Sequence, residues 1–177
     1  LDGSHESRGQ IILKRVAPDY DSWALGLEAN PGGDGHVIRF QVATSLSDVV
    51  YAADPQPLPT DQWVHIVGIY RPAESVEVYV DGQLRAETTT DVPDSQVSDN
   101  GASVLIGSAN GCTDCAWDGL LDELRVYDRA LSQVEIWQLM RAEVGLSSAP
   151  QPPDGATGVP TDITLSWTAG QFARTHD

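Results

Sequence analysis

The chain is nearly free of cysteine: Cys112 and Cys115 are the only two in 177 residues, and both lie in one short loop. A single Cys-x-x-Cys does not complete a four-ligand zinc site, and no two of the four histidines stand at a helpful spacing. A redox motif would sit at a helix start after a strand, which the surrounding pattern lacks. The sequence therefore favours a small disulfide between Cys112 and Cys115, with free thiols as the alternative.

Positive charge is also scarce, because 10 basic residues face 26 acidic ones and the formal net charge is -16. Such a chain is repelled by phosphate groups, so nucleic acid and anionic membrane surfaces are poor partners. The simplest reading of the acidity is solubility in a salty or extracellular medium. Calcium binding is the alternative reading.

Long apolar runs and a leader are missing as well. No stretch of about 18 apolar residues exists, so we predict no membrane insertion. The sequence begins at Leu1 with neither an initiator Met nor a signal peptide, which indicates an interior piece of a longer protein. Hydrophobic residues make up 41% of the chain, enough for a folded core.

The most informative stretch lies in the middle of the chain. Residues 63–70 are apolar on both faces of an extended strand, which predicts a central strand covered on both sides. In 76–80 three valines alternate with Glu77 and Tyr79, so we expect the valines in a core and the other two mostly in water. Asp81-Gly82 then predicts a type I′ turn, and the whole region an antiparallel β-meander.

The rest of the chain adds short strands and one helix. Ser132 and Glu135 have the spacing of a capping box, and Leu131 and Ile136 that of a hydrophobic staple, which predicts a helix over 133–143. One helix among about eight strands indicates an all-β protein. The other predicted strands are 10–16, 23–28, 37–42, 49–53, 103–107, 119–127 and 163–167.

Four motifs follow one another along the chain: Trp63-Val-His-Ile-Val, Val78-Tyr-Val-Asp-Gly, Leu105-Ile-Gly and the run from Gly119 to Ile136, GLLDELRVYDRALSQVEI. In this order they resemble laminin G-like domains of the concanavalin A-like lectin/glucanase superfamily. The bacterial, pentraxin-like branch is the most similar, over about residues 8 to 145. The resemblance implies an antiparallel two-sheet jelly-roll sandwich with one short C-terminal helix.

The resemblance also divides the chain. Residues 1–146 form the laminin G-like domain, which lacks the first strands usual for such domains. Residues 147–158 are rich in Pro and Gly and are predicted to be a linker. Residues 159–177 resemble the beginning of a fibronectin type III-like domain, which indicates a secreted, modular parent.

The resemblance implies a structural calcium ion, and Asp122 matches a position that helps to hold it. Asp122 interrupts an otherwise apolar face of the predicted strand 119–127, where a lone carboxylate is costly unless paired or metal-bound. The alternative is that Asp122 accepts hydrogen bonds from backbone amides or pairs with an arginine. Asp99, Asn100 and the loop 114–118 carry groups of the kind that bind calcium in pentraxin-like sites, although most acidic loops are simply solvated.

Carbohydrate binding is predicted in the loop around Trp117. An exposed indole beside Asp114 and Asp118 is a common way to hold a sugar ring, whereas packing of Trp117 against the sandwich end is the competing interpretation. Trp23, Trp63 and Trp137 lie in periodic patterns and are predicted to be core residues.

Catalysis is not expected. The glucanase relatives use Glu-x-Asp-x-Glu or Glu-x-Asp-x-x-Glu on one strand, and neither occurs in this sequence. We therefore predict a non-catalytic module that binds carbohydrate, a cell-surface glycan or another surface ligand. It would lie outside the cell or on its surface, within a multidomain protein whose neighbouring domains are its further partners. The alternatives are a structural spacer and an accessory domain of a polysaccharide-degrading enzyme.

Overall fold

The protein is described by a computed structural model over residues 9–17, 20–45, 48–97, 101, 103–108, 115–143, 148–153, 156–157, 162, 164 and 166–168. The chain divides into two compact units, residues 1–131 and residues 132–177, which are described separately. Within the described ranges, no helix has the length and apolar character needed to cross a membrane.

The first unit is built from two antiparallel sheets. Its strands are β1 (Gln10–Ala17), β2 (Tyr20–Ala29), β3 (His36–Ser45), β4 (Asp48–Pro57), β5 (Ile66–Arg71), β6 (Ser75–Val80), β7 (Gln83–Thr88) and β8 (Val104–Ile106). One sheet has the order β4-β3-β2-β1-β8 and the other the order β5-β6-β7. The predicted all-β, two-sheet jelly-roll class is confirmed.

The core lies between the inner faces of these two sheets. Ile38, Phe40 and Val42 alternate along β3, and Val76 and Val78 alternate along β6, so that each strand turns these side chains to one face. Both sets belong to one buried cluster. Removal of this apolar surface from water is the main term that stabilises the sandwich.

The central hairpins form as predicted, with two differences. Asp81 and Gly82 both have positive φ, 49° and 72°, which confirms the type I′ turn. The central strand of the smaller sheet is β6 rather than the predicted β5, which lies at an edge. Glu77 and Tyr79 are 4% and 6% exposed, so the prediction that they face water is wrong.

The predicted strand 119–127 is wrong, because none of these residues forms a strand. Glu123 has a φ of +50°, which interrupts the extended geometry that a strand requires. Leu120 and Val126, predicted on a buried face, are exposed. Apolar alternation alone predicted a strand where the backbone takes a different course.

Of the three tryptophans predicted to be core residues, one packs against the core and two are exposed. Trp23 packs against the core cluster of the sandwich, as predicted. Trp63 and Trp137 are 66% and 47% exposed, so this prediction is wrong for both. Trp63 precedes the first residue of β5 and therefore lies outside the sheet.

The second unit contains α1 (Gln133–Glu143), β9 (Ser148–Gln151) and β10 (Ser166–Thr168), with β9 and β10 paired antiparallel. The helix has the predicted bounds, and its capping box is present. The Ser132 amide donates to Glu135 Oε2 at 2.8 Å, and the Glu135 amide donates to Ser132 Oγ at 3.3 Å. Strand β9 lies inside the segment predicted as a linker.

Candidate functional site

A polar site lies on the outer face of the five-stranded sheet. Because side chains alternate along β3, Arg39 and Gln41 point away from the core that Phe40 enters. Antiparallel pairing places Arg39 opposite Gly26 and Gln41 opposite Ala24. The side chains enclose a cavity of about 50 Å³, lined by Gln10, Asp21, Ala24, Gly26, Leu27, Glu28, Arg39 and Gln41.

Arg39 is the centre of this outer-face site. Its Nη1 donates to Glu28 Oε2 at 2.7 Å, and the two side chains are 14% and 16% exposed. The guanidinium carbon lies 3.7 Å from the centre of the Tyr51 ring, which is a cation–π contact. Arg39 is thus held by a carboxylate and by an aromatic face, which fixes its position beside the cavity.

Two buried atoms of the cavity residues have no hydrogen-bond partner in the described structure: Gln10 Oε1, an acceptor, and Arg39 Nε, a donor. The Gln10 side chain lies over Gly26. The two are so close that a β-carbon at Gly26 would lie 2.8 Å from Gln10 Oε1. Burial of an unpartnered polar group costs free energy that a suitable ligand or water recovers. Two of the residues that line the cavity therefore have unused hydrogen-bonding capacity, one as an acceptor and one as a donor.

The loop that carries the cysteines borders the same site. The Gln10 amide donates to the Cys115 carbonyl oxygen at 3.1 Å, and Cys115 packs in a buried cluster with Leu13 and Ala24. Cys115 is disulfide-bonded. Cys112 lies outside the described residues, so the Cys112–Cys115 pairing stays a prediction.

The predicted sugar-binding residues are placed differently from the expectation. Trp117 is half-buried and packs against the core cluster, which is the competing interpretation given for it above. Its indole Nε1 is buried without a partner, and its amide donates to the Gly107 carbonyl oxygen at 2.9 Å. Asp118 is exposed, neither residue lines the cavity, and Asp114 lies outside the described residues.

The predicted calcium ligands do not assemble into a site within the described residues. Asp122 is exposed, which removes the argument that it is a buried, lone carboxylate. Its Oδ1 accepts a hydrogen bond from the Glu123 amide at 2.8 Å, which corresponds to the alternative stated for it. Asp99 and Asn100 fall outside the described part. In that part no cluster of three or more His, Cys, Asp or Glu side chains is suited to a metal ion.

A second polar cluster, centred on Glu77, lies on the smaller sheet. Glu77 Oε1 accepts hydrogen bonds from Arg71 Nε at 2.8 Å and from Ser75 Oγ at 2.5 Å, and Glu77 Oε2 accepts one from Tyr79 Oη at 3.0 Å. Arg71 Nη2 also donates to the Leu131 carbonyl oxygen at 3.0 Å. This cluster joins the hairpin to the chain at Leu131.

The environment sets the ionisation of Glu77. Burial by itself would raise its pKa, but the hydrogen bonds from Ser75, Arg71 and Tyr79, with the charge of Arg71, outweigh burial and lower the pKa below 4.5. Burial and the hydrogen bond to Glu77 raise the pKa of Tyr79. Glu77 is therefore a structural anion with all of its donors supplied by the protein.

Sequence reasoning missed both polar clusters. Arg39 and Gln41 alternate with Ile38 and Phe40, which is a visible signal of one polar face. Pairing with β2, which brings Glu28 and Gly26 to the same site, depends on sheet register. That register was not predicted.

Three comparisons relate the chain to known proteins, and the match to a family model agrees with the fold. The laminin G model of the concanavalin A-like lectin/glucanases superfamily matches residues 2–137. Over 114 residues the chain is 26% identical to the human adhesion G-protein coupled receptor D1, a match that covers 64% of this chain but 13% of the receptor. An S-layer domain-containing protein from Clostridium thermocellum superposes with a TM-score of 0.41 and 18% identity, covering 75% of this chain and 63% of that one.

Proposed function

The chain belongs to the concanavalin A-like lectin/glucanases superfamily, and we propose that it is a non-catalytic module that binds carbohydrate or another surface ligand. The observation that carries the proposal is the outer-face site, where Gln10, Glu28 and Arg39 line a cavity beside the exposed ring of Tyr51. A few polar groups around a concave surface, next to an aromatic ring, are typical of a binding site.

The ionisation of the buried Glu77 supports a non-catalytic role. Acid catalysis at neutral pH requires a carboxyl group whose pKa is raised, as in many glycosidases. The pKa of Glu77 is instead lowered, and the carboxylate is held by an arginine and two hydroxyl groups.

A place outside the cell is part of the same proposal. The human relative is named an adhesion receptor, which supports a position on a cell surface or in the extracellular medium. The disulfide at Cys115 also fits an oxidising compartment. We propose a larger secreted bacterial protein as the parent, with the residues from 159 onward as the start of a fibronectin type III-like neighbour.

The dependence of ligand binding on calcium is a further part of the proposal. Within the described residues the acidic side chains do not form a site for it, and two of the predicted ligands, Asp99 and Asn100, lie outside those residues. Binding should therefore be measured both in calcium and in excess chelator.

Isothermal titration of the 177-residue chain with a panel of neutral and acidic oligosaccharides tests the proposal. We expect saturable binding of at least one saccharide with a Kd below about 1 mM, equivalent to about -4 kcal/mol. The control for non-specific binding is the same titration with protein that has been unfolded by heat and kept unfolded in denaturant. If no saccharide binds, the carbohydrate proposal is wrong and the structural spacer becomes the better account.

A further inference from the structure

The outer-face site carries a more specific conclusion, which rests on the proposed function. We infer that its cavity receives the hydroxyl or hydroxymethyl groups of a neutral saccharide, and that it discriminates against sulfated and carboxylated sugars. The inference follows from the hydrogen-bonding capacity, charge and size of the cavity.

Hydrogen-bonding capacity selects a hydroxyl group. The unpartnered atoms are one acceptor, Gln10 Oε1, and one donor, Arg39 Nε. An ammonium group donates only, and a sulfate or carboxylate accepts only, so neither complements both atoms. A hydroxyl group donates and accepts at once. A hydroxyl group therefore matches the hydrogen-bonding character of both atoms.

Charge selects a neutral ligand. Among the residues that line the cavity, the one cation is Arg39, and it already pairs with Glu28 at 2.7 Å. The whole chain carries a formal charge of -16. An acidic sugar would therefore find no free cation in the lining and would be repelled by the acidic chain as a whole, which disfavours its binding.

Size and surroundings place the sugar ring outside the cavity. A volume of about 50 Å³ admits a few water-sized groups, since each takes roughly 10–15 Å³, but not a whole pyranose. Tyr51, at 45% exposure, lies next to Arg39 and offers an apolar surface for the ring C–H groups. The ring would thus rest on the sheet with one or two hydroxyl groups inserted.

Two substitutions test this assignment, and each removes one of the unpartnered atoms. Gln10→Leu removes the unpartnered acceptor while nearly keeping the side-chain volume. Arg39→Lys keeps the positive charge but removes Nε and the planar contact with Tyr51. Arg85→Lys is the matched control, because Arg85 pairs with Asp54 and does not line the cavity.

The probes are neutral hexasaccharides of glucose, mannose, xylose and galactose, with a heparin hexasaccharide as the acidic comparison. We expect the neutral hexasaccharide that binds the parent chain best to lose at least tenfold in affinity in Gln10→Leu and in Arg39→Lys. It should lose less than twofold in Arg85→Lys. Thermal unfolding shows which variants fold; if Arg39→Lys fails to fold, Gln10→Leu alone decides, and if Gln10→Leu fails to fold, Arg39→Lys decides.

The outcomes separate this inference from the proposed function. Unchanged neutral-sugar affinity in Gln10→Leu overturns the cavity assignment and leaves the proposed function standing. Tighter binding of the heparin hexasaccharide than of every neutral probe overturns the selectivity. Absence of any saccharide binding to the parent chain overturns this inference together with the carbohydrate proposal.

Discussion

The ring of Phe40 lies directly against the α-carbon of Gly68, so that β3 of the larger sheet meets β5 of the smaller one without an intervening side chain. A β-carbon at Gly68 would lie 2.5 Å from both Cγ and Cδ2 of Phe40. Phe40 is buried at 7% exposure and belongs to the core cluster shared by the two sheets. This contact sets the local spacing of the sandwich.

Gly68→Ala should therefore destabilise the protein by about 1–3 kcal/mol, because a buried ring must move to admit one methyl group. Equilibrium urea unfolding measures the change. Gly32→Ala is the control, since its β-carbon would lie 3.4 Å from Asn30 Oδ1 in an exposed loop, and we expect a change within about 0.5 kcal/mol. Equal effects of the two substitutions would show that Phe40 does not constrain the residue at position 68.

Glu77→Ala should destabilise the protein by about 3 kcal/mol, because it leaves Arg71 and the hydroxyl groups of Ser75 and Tyr79 without their shared acceptor. Glu74 lies in the same hairpin and is exposed, so Glu74→Ala provides the matched control with little expected change. Denaturant unfolding of both variants measures the difference. A loss below about 1 kcal/mol for Glu77→Ala would contradict the role given to this cluster.

The lowered pKa of Glu77 predicts a pH dependence of stability. A carboxylate with a depressed folded-state pKa stabilises the protein above its unfolded value of 4.5, and this contribution is lost as pH falls through the lower folded value. The difference in unfolding free energy between the parent chain and Glu77→Gln should thus be largest near neutral pH and shrink below pH 4.5. A difference that stays constant down to acid unfolding would be incompatible with this ionisation.

Asp122→Asn should change the unfolding free energy by no more than about 0.5 kcal/mol, because the side chain is exposed and its bond to the Glu123 amide can be kept. Thermal unfolding in calcium and in excess chelator measures this. If the chelator lowers the midpoint of the parent chain and has no effect on Asp122→Asn, calcium is bound at Asp122 and the placement described above is wrong.

Local signals were sufficient to predict most of the fold. The type I′ turn at Asp81-Gly82 and the helix that begins after Ser132 each depend on a few adjacent residues, and both were predicted correctly. Glu77 and the cavity depend on neighbours from other strands. The burial of Glu77 is compensated by Arg71 across a hairpin, and the position of Gln10 depends on its pairing with Gly26.

The residues favoured for binding from the sequence differ from those of the outer-face site that we propose. An indole next to carboxylates suggested a sugar platform at Trp117, but composition does not tell whether an indole faces solvent or the core. The structure packs Trp117 against the core and leaves Tyr51 exposed beside Arg39. The register of β2, β3 and β4, which residue types do not reveal, brings the residues of the outer-face site together.

The most direct measurement is a crystal structure of the chain with the neutral hexasaccharide that binds it best. The account predicts electron density for a sugar ring over the outer face of the five-stranded sheet, with a hydroxyl oxygen within hydrogen-bonding distance of Arg39 Nε and Gln10 Oε1. Density at the loop around Trp117 and Asp118, with only water in the cavity, would contradict the account.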